Sequence, residues 1–216
     1  MANQGICVVT IPVGYVGSIL LMNLANLLRE LYGNLTIISS KEFNDLYSNK
    51  DQVNIISVYH RKVGNNFIRP INYFFTQMRI SWNLFLRRHD YNKCIFFLGG
   101  DGLIIPILFC KALNKEVILC LGGTISGVLK QNNDLFYPIY SGISRLSYIL
   151  TNKIILYSPC LISAWNLEAY KSSIHIAHRH FLDFDTFTVT TPLPNRPPLI
   201  GYIGRLSGEK GVQHFA

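Results

Sequence analysis

Acidic residues are scarce in this chain. Only 12 of its 216 residues are Asp or Glu, against 20 Lys or Arg, which leaves a net charge of +8 and a pI near 9.3. That balance suits anionic partners: phosphorylated ligands, acidic lipid or nucleic acid. Charged residues of all kinds amount to 15% while apolar residues reach 49%, which excludes a disordered composition. Cysteine is sparse too. The five thiols, Cys7, Cys94, Cys110, Cys120 and Cys160, are odd in number, widely spaced and without a C-x-x-C pair. That pattern speaks against a disulfide framework or a zinc site and reads as buried, reduced thiols of an intracellular protein. No apolar run approaches the roughly 20 residues needed to span a bilayer; the longest, Ile104 to Cys110, fits a core helix. No basic region precedes the first apolar run, so a secretory leader is not expected. No internal repeat is visible. The length suffices for one large core, or for one domain plus a fragment.

What is present is an alternation of strand-like and helix-like segments. Ile6 to Ile11 is apolar and β-branched, as a central parallel strand is. Pro12 to Gly17 follows as a loop, with Ser18 as the expected cap of a helix from Ile19 to Tyr32 and Gly33 as its stop. Leu35 to Ser39 forms a second strand, which makes the opening a βαβ unit with a right-handed crossover. Phe43 to Asp51 reads as a polar loop. Further strands are expected at Val53–Tyr59, Lys93–Leu98, Glu116–Leu121, Lys153–Tyr157 and Ile174–Ala177. Helices are expected at Phe67–Tyr91, Leu103–Leu113, Tyr137–Leu150 and from Ser158-Pro159 to Lys171. The pattern predicts an α/β fold, a Rossmann-like parallel sheet with helices on both faces.

Glycine gathers at the carboxyl ends of the expected strands, where open α/β sheets bind ligands. Gly14 and Gly17 follow the first strand, Gly99, Gly100 and Gly102 the fourth, and Gly122, Gly123 and Thr124 the fifth. Gly14-x-x-Gly17 is not a dinucleotide fingerprint, and no acid ends the second strand, which argues against a nicotinamide or flavin enzyme. These glycines serve either tight turns or the close approach of a ligand. Asp101 stands in the fourth-strand loop, as a polar contact or base or as the cap of the helix from Leu103. His60 reads as a solvated strand-end residue. His175, His178 and His180 lack a neighbouring carboxylate cluster, so no metal site is expected. The Phe67–Tyr91 segment mixes Tyr73, Phe74, Phe75, Trp82 and Phe85 with Arg69, Arg79, Arg87 and Arg88. Two readings are open: an interfacial helix on anionic lipid, with Arg79, Trp82, Arg87 and Arg88 in contact, or a sheet-covering helix with aromatics inward and arginines in water. No recognised nucleic-acid motif accompanies it.

Residues 189–198 are rich in Thr and Pro and read as an interdomain linker after a first domain of residues 1–188. Residues 199–216 then open a second domain. An apolar strand, Leu199 to Ile203, leads into Gly204 and a loop bounded by Arg205 and Lys210, and Gly211 begins a helix. Strand, glycine turn and helix start make an anion site, with Arg205 able to fork onto phosphate oxygens and Lys210 adding a point charge.

Ile203-Gly204-Arg205-Leu206-Ser207-Gly208-Glu209-Lys210-Gly211 resembles the G-R-L-x-x-E-K-G motif of the family 4 (group 1) retaining glycosyltransferases, which have the two-Rossmann GT-B architecture. Thr151 to Ser158 looks like that family's A-D-x-V-I-x-x-S strand, and Val13 to Gly17 takes the place of its first glycine loop. The resemblance implies an N-terminal, acceptor-side domain cut just inside the donor domain. It further implies a nucleotide-sugar donor whose diphosphate is held by Arg205 and Lys210, with no metal and no other cofactor. The acceptor would be a glycan or a lipid-linked molecule, at the cytoplasmic membrane face. This sequence departs from the family in two places. Gly122 and Gly123 stand where the family often has a histidine, and His178-Arg179-His180 replaces an asparagine–glycine turn. The pair of glutamates that grips the donor sugar would lie past Ala216. The chain alone is therefore expected to be inactive or nearly so, and a face meant for the missing domain could make it pair with itself. The alternative is a non-catalytic membrane-surface or interaction module.

Overall fold

The computed structural model describes residues 5–47, 53–60, 68–177, 188 and 191–198. Seven parallel strands form one sheet: β1 (Ile6–Thr10), β2 (Leu35–Ser39), β3 (Val53–Ser57), β4 (Lys93–Phe97), β5 (Glu116–Leu121), β6 (Lys153–Leu156) and β7 (Ile174–Ile176). Their spatial order is β3-β2-β1-β4-β5-β6-β7. The order reverses between β1 and β4, which pair from Ile6 opposite Lys93 to Thr10 opposite Phe97. All five residues of β1 and of β2 are buried, as their unbroken β-branched runs require in a sheet covered on both faces. Successive side chains alternate between two cores. Cys7, Val9, Phe96, Leu119 and Leu121 enter one; Ile6, Val8, Ile95, Phe97, Ile118 and Cys120 enter the other.

The second of these cores holds side chains of α1 (Tyr15–Leu31) and α2 (Lys41–Leu46); α3 (Ile68–Leu86), α4 (Ile104–Ala112) and α6 (Tyr137–Leu150) contribute to the first. Helix α1 begins four residues earlier than its sequence suggests. Gly14, in extended conformation, is the N-cap and no side chain caps the helix. Ser18 lies inside the first turn and its hydroxyl donates back to the Gly14 carbonyl at 3.2 Å. Gly17 is likewise helical; a Cβ there would sit 2.9 Å from the Val13 Cβ.

The stretch read as a polar loop contains α2. Ser40 caps it, accepting from the Phe43 amide at 3.4 Å and donating to the Val13 carbonyl at 2.7 Å. Phe43 is fully buried and stacks on Tyr47, just past the helix, so two aromatic anchors suffice to hold a six-residue helix whose one other apolar residue, Leu46, is exposed. The helix expected up to Lys171 is broken: α7 (Cys160–Ala164) stops before Asn166, which takes a positive φ of 53°, and a 3-10 turn covers Glu168–Ser173. Cys160, at the start of α7, is exposed, unlike the other four cysteines.

Helix α3 packs on the core through Ile80 and Leu84, but its aromatics Phe74, Phe75 and Trp82 point outward, against the inward-aromatic form of the sheet-covering reading. Its buried residues are Thr76, Gln77, Ile80, Ser81 and Leu84. Ile71, Phe75, Met78, Trp82 and Leu86 are exposed, and their spacing puts them on one stripe of the helix. Two of the inward polar groups, Gln77 and Thr76, are hydrogen-bonded, while the Ser81 hydroxyl has no partner among the described residues. The Gln77 carbonyl oxygen accepts the Ile105 amide at 3.0 Å, tying down the uncapped start of α4. The Thr76 hydroxyl donates to the Asn72 carbonyl at 2.9 Å and lies 2.8 Å from His60 Nδ1, so His60 is anchored on α3 and not merely solvated.

Residues fall into two compact units, Met1–His178 and Arg179–Ala216. In the second, a 3-10 turn at Leu193–Asn195 is described, with Arg196 Nε donating to the Thr191 carbonyl at 2.8 Å. Arg205 and Lys210, where an anion turn is expected, and also His178 and His180, lie outside the described residues. Among those described, no helix is long and apolar enough to cross a membrane, and no group of three His, Cys, Asp or Glu side chains is placed to hold a metal.

Candidate ligand cleft at the carboxyl ends of the strands

A fully parallel sheet delivers every strand-to-helix loop to the same edge, and ligands of such sheets gather there. Beside the order reversal, Gly14 starts α1 with nothing within 4 Å of the place a side chain would take. The first turn of α1 carries no acid, and no side-chain cap occupies its amides. Strand β4 leaves through two left-handed residues, Leu98 at φ 47° and Gly99 at φ 83°. The following residues, Gly100, Asp101 and Gly102, form a buried 3-10 turn. Gly100 is a packing glycine: a Cβ there would lie 2.7 Å from the Phe96 Cβ. Gly122 and Gly123 are exposed, with open space over Gly123.

Asp101 does not cap α4, whose N-cap Leu103 makes no side-chain bond. Its carboxylate reaches sideways. Oδ2 accepts from the Ile125 amide at the start of α5 (Ile125–Gln131) and from the Ser144 hydroxyl on α6, both at 3.0 Å. Oδ1 has no hydrogen-bond partner among the described residues. The side chain is fully buried. Burial pushes its pKa up to about 6, against the opposing pull of the Ile125 amide and the Ser144 hydroxyl. Asp101 is thus a strut that pins two helices to the end of β4.

Those two helices wall a cavity of about 430 Å³ together with α7 and the turn after it. Thr124, whose hydroxyl accepts the Gly127 amide at 3.0 Å and so caps α5, lies at its edge. Ser126 and Lys130 come from α5, Tyr137, Ser141, Ser144, Arg145 and Tyr148 from α6, and Trp165, Asn166 and Tyr170 from the far wall. Tyr148 meets Tyr170 edge to face at 5.5 Å; burial, then the neighbouring Asp101 charge, push its phenol pKa up. Among the described residues no carboxylate lines the cavity, while Lys130 and Arg145 both do.

The other sequence candidates lie on α3. Arg79 donates to the Tyr59 carbonyl at 3.1 Å, Trp82 is 61% exposed, Arg87 sits 3.6 Å from Asp90, and the Arg88 guanidinium lies over the Phe85 ring at 4.4 Å. His175 is exposed on β7. Sequence reasoning missed Lys130, Tyr137, Tyr148, Trp165 and Tyr170 and placed Arg145 only on a polar helix side. A signal was present. Between Glu116 and Glu168 the sequence has a single acid, Asp134, and that one is paired with Arg69 at 2.7 Å.

No protein-family model matches the sequence, and no curated protein does. Solved structures do match its fold. LpCGTa, in complex with UDP, aligns with a TM-score of 0.60 at 10% identity, over 84% of this chain and 55% of that one. An Os79 variant from O. sativa, in complex with UDP, gives 0.54 at 10% identity, over 94% and 61%. Glycyrrhiza uralensis UGT73P12, complexed with glycyrrhetinic acid 3-O-monoglucuronide, gives 0.51 at 11% identity, over 77% and 46%. The seven-stranded sheet thus has the Rossmann-like fold of the N-terminal domain of GT-B glycosyltransferases. The chain spans about half the length of these structures.

Proposed function

We propose that this chain carries the acceptor side of a retaining, nucleotide-sugar-dependent glycosyltransferase resembling family 4. The observation that carries the reading is a Rossmann-like sheet of the GT-B N-terminal kind followed, in the same chain, by a Gly204–Gly211 sequence that resembles the family's G-R-L-x-x-E-K-G motif. Two of the matching structures hold UDP, which supports a nucleotide sugar as donor. In the proposed reaction the bond from the anomeric carbon to the diphosphate oxygen breaks. A bond from that carbon to an acceptor hydroxyl forms on the same face, and the hydroxyl proton leaves with the nucleoside diphosphate. Arg205 and Lys210 take up the charge developing on the diphosphate, in place of a metal. The acceptor is a glycan or a lipid-linked molecule taken at the strand ends. Asp101 acts as a positioning residue, since its buried carboxylate already holds Ile125 and Ser144. The test uses the gene product as its source cell makes it, with a panel of nucleotide sugars and an acceptor extract. Arg205→Ala and Lys210→Ala should each lower acceptor-dependent release of nucleoside diphosphate by about a hundredfold. Unchanged release in both variants would overturn the assignment.

A second reading is favoured by the outward stripe of α3: docking of the same protein on an anionic membrane surface. Ile71, Phe75, Met78, Trp82 and Leu86 would enter the headgroup region. Arg79, Arg87 and Arg88 would meet anionic lipid, with Asp90, 3.6 Å from Arg87, the acid beside them. Co-sedimentation with phosphatidylglycerol vesicles should exceed that with phosphatidylcholine vesicles and fall on replacing Arg87 and Arg88 by Ala. Equal binding to both, or lipid-independent self-association lost in Trp82→Ser, would sink it.

A further inference from the structure

We propose that the cavity between α5, α6 and α7 binds an anionic saccharide, a sugar ring carrying a phosphate or carboxylate group. The inference rests on the glycosyl-transfer reading and names the acceptor class that reading leaves open. Three features of the wall point the same way. Charge comes first. Lys130 and Arg145, on different helices, both line the cavity, and neither has an ion-pair partner among the described residues. Sites for neutral sugars need acceptors for hydroxyl protons, and carboxylates are the strongest of these; this wall has none. A neutral glycan would leave two cations without a counter-charge, whereas a phosphate or uronate would supply one.

Shape comes second. Tyr137, Trp165 and Tyr170 are half-buried in the wall, which offers ring faces for the C–H surface of a pyranose, and about 430 Å³ lies within the range of small-molecule sites. Third, the remaining polar groups are short and neutral: Ser126, Ser141 and Asn166 can each give and take one hydrogen bond with sugar hydroxyls. The base of the cavity is held rigid, because Asp101 fixes Ser144 and the start of α5.

The chain has only two tryptophans, Trp82 and Trp165, which gives a direct readout. In Trp82→Phe, fluorescence reports the cavity alone. Hexose 1-phosphates and hexuronates, which separate a phosphate source of the anion from a carboxylate source, should produce a saturable change. Inorganic phosphate and a methyl hexoside should each bind about tenfold or more weakly, because each lacks half of the recognition. Arg145→Ala and Lys130→Ala should each weaken the anionic saccharide by about tenfold, with an unchanged circular dichroism spectrum. Equal affinity for the methyl hexoside, no saturable change with any anionic saccharide, or no effect of either substitution would overturn the proposal. The readout is binding and not turnover, so the two claims fail separately. Transfer to neutral acceptors without anion binding defeats only this inference. Saturable binding in a protein that transfers nothing defeats only the glycosyltransferase reading.

Discussion

Helices α1 and α3 are nearly alike on paper, 17 and 19 residues long and both amphipathic, yet they differ in what they bury and what they leave outside. Helix α1 buries Leu21, Ala25 and Leu28 and shows water a mixed face. Helix α3 buries only Ile80 and Leu84 as apolar residues, turns Thr76, Gln77 and Ser81 inward beside them, and leaves Phe75, Met78 and Trp82 outside. Burying a polar group is tolerable only when it is bonded, and Gln77 meets that condition by capping α4. The contrast shows that apolar content locates a helix but does not decide which side faces the core. Ile80 and Leu84 anchor the inward side of α3, Gln77 is bonded beside them, and the apolar side left outside marks a contact surface.

The largest effect expected from this contrast lies on α1. Leu21→Ala removes a fully buried side chain and should cost about 2–5 kcal/mol in denaturant unfolding; a loss below about 1 kcal/mol would mean that the α1 layer packs loosely. Next is the strut between the layers. The folded Asp101 carboxyl holds its proton up to about pH 6, whereas an unfolded one releases it near 3.8. The folded state therefore binds more protons in that window, so stability falls as pH rises from about 4 to 6 and is level above. The full span is up to about 3 kcal/mol. Asp101→Asn should flatten this part of the pH–stability curve, and an unchanged curve would remove the buried carboxylate as its cause. Gln77→Ala leaves the Ile105 amide without its partner and should cost about 1–3 kcal/mol. The smallest effect is the most telling: Trp82→Ser, on the exposed stripe, should shift stability by no more than about 0.5 kcal/mol. A loss as large as that of Leu21→Ala would mean that the Trp82 stripe of α3 is covered and not exposed.

Much of the fold could be read directly. The bounds of β2 and β5 follow from sequence to the residue, because a short apolar run closed by polar or glycine residues leaves little choice of register, and those of α6 do so as well, with Pro138 in its first turn. Helix α2 escaped because its hold on the core is Phe43 and Tyr47 alone, too few positions to make a period. The start of α1 was misplaced because a bare Gly14 cap carries no side-chain signal. The cavity was illegible for a different reason: Lys130, Arg145 and Trp165 belong to three elements, and only the order β4-β5-β6 brings those elements together. Asp101 was visible as the acid of a strand-end loop. What it binds, Ile125 and Ser144, was not, since both contacts are long-range.

The most direct test of the account is transfer itself. The purified gene product, as its source cell makes it, is given nucleotide sugars labelled in the sugar, together with lipid and glycan extracts from the same cells. The account predicts label in an anionic or lipid-linked saccharide, with the anomeric configuration of the donor kept, and loss of that label in Arg205→Ala. Absence of transfer from every nucleotide sugar, in a protein that remains folded, would contradict it.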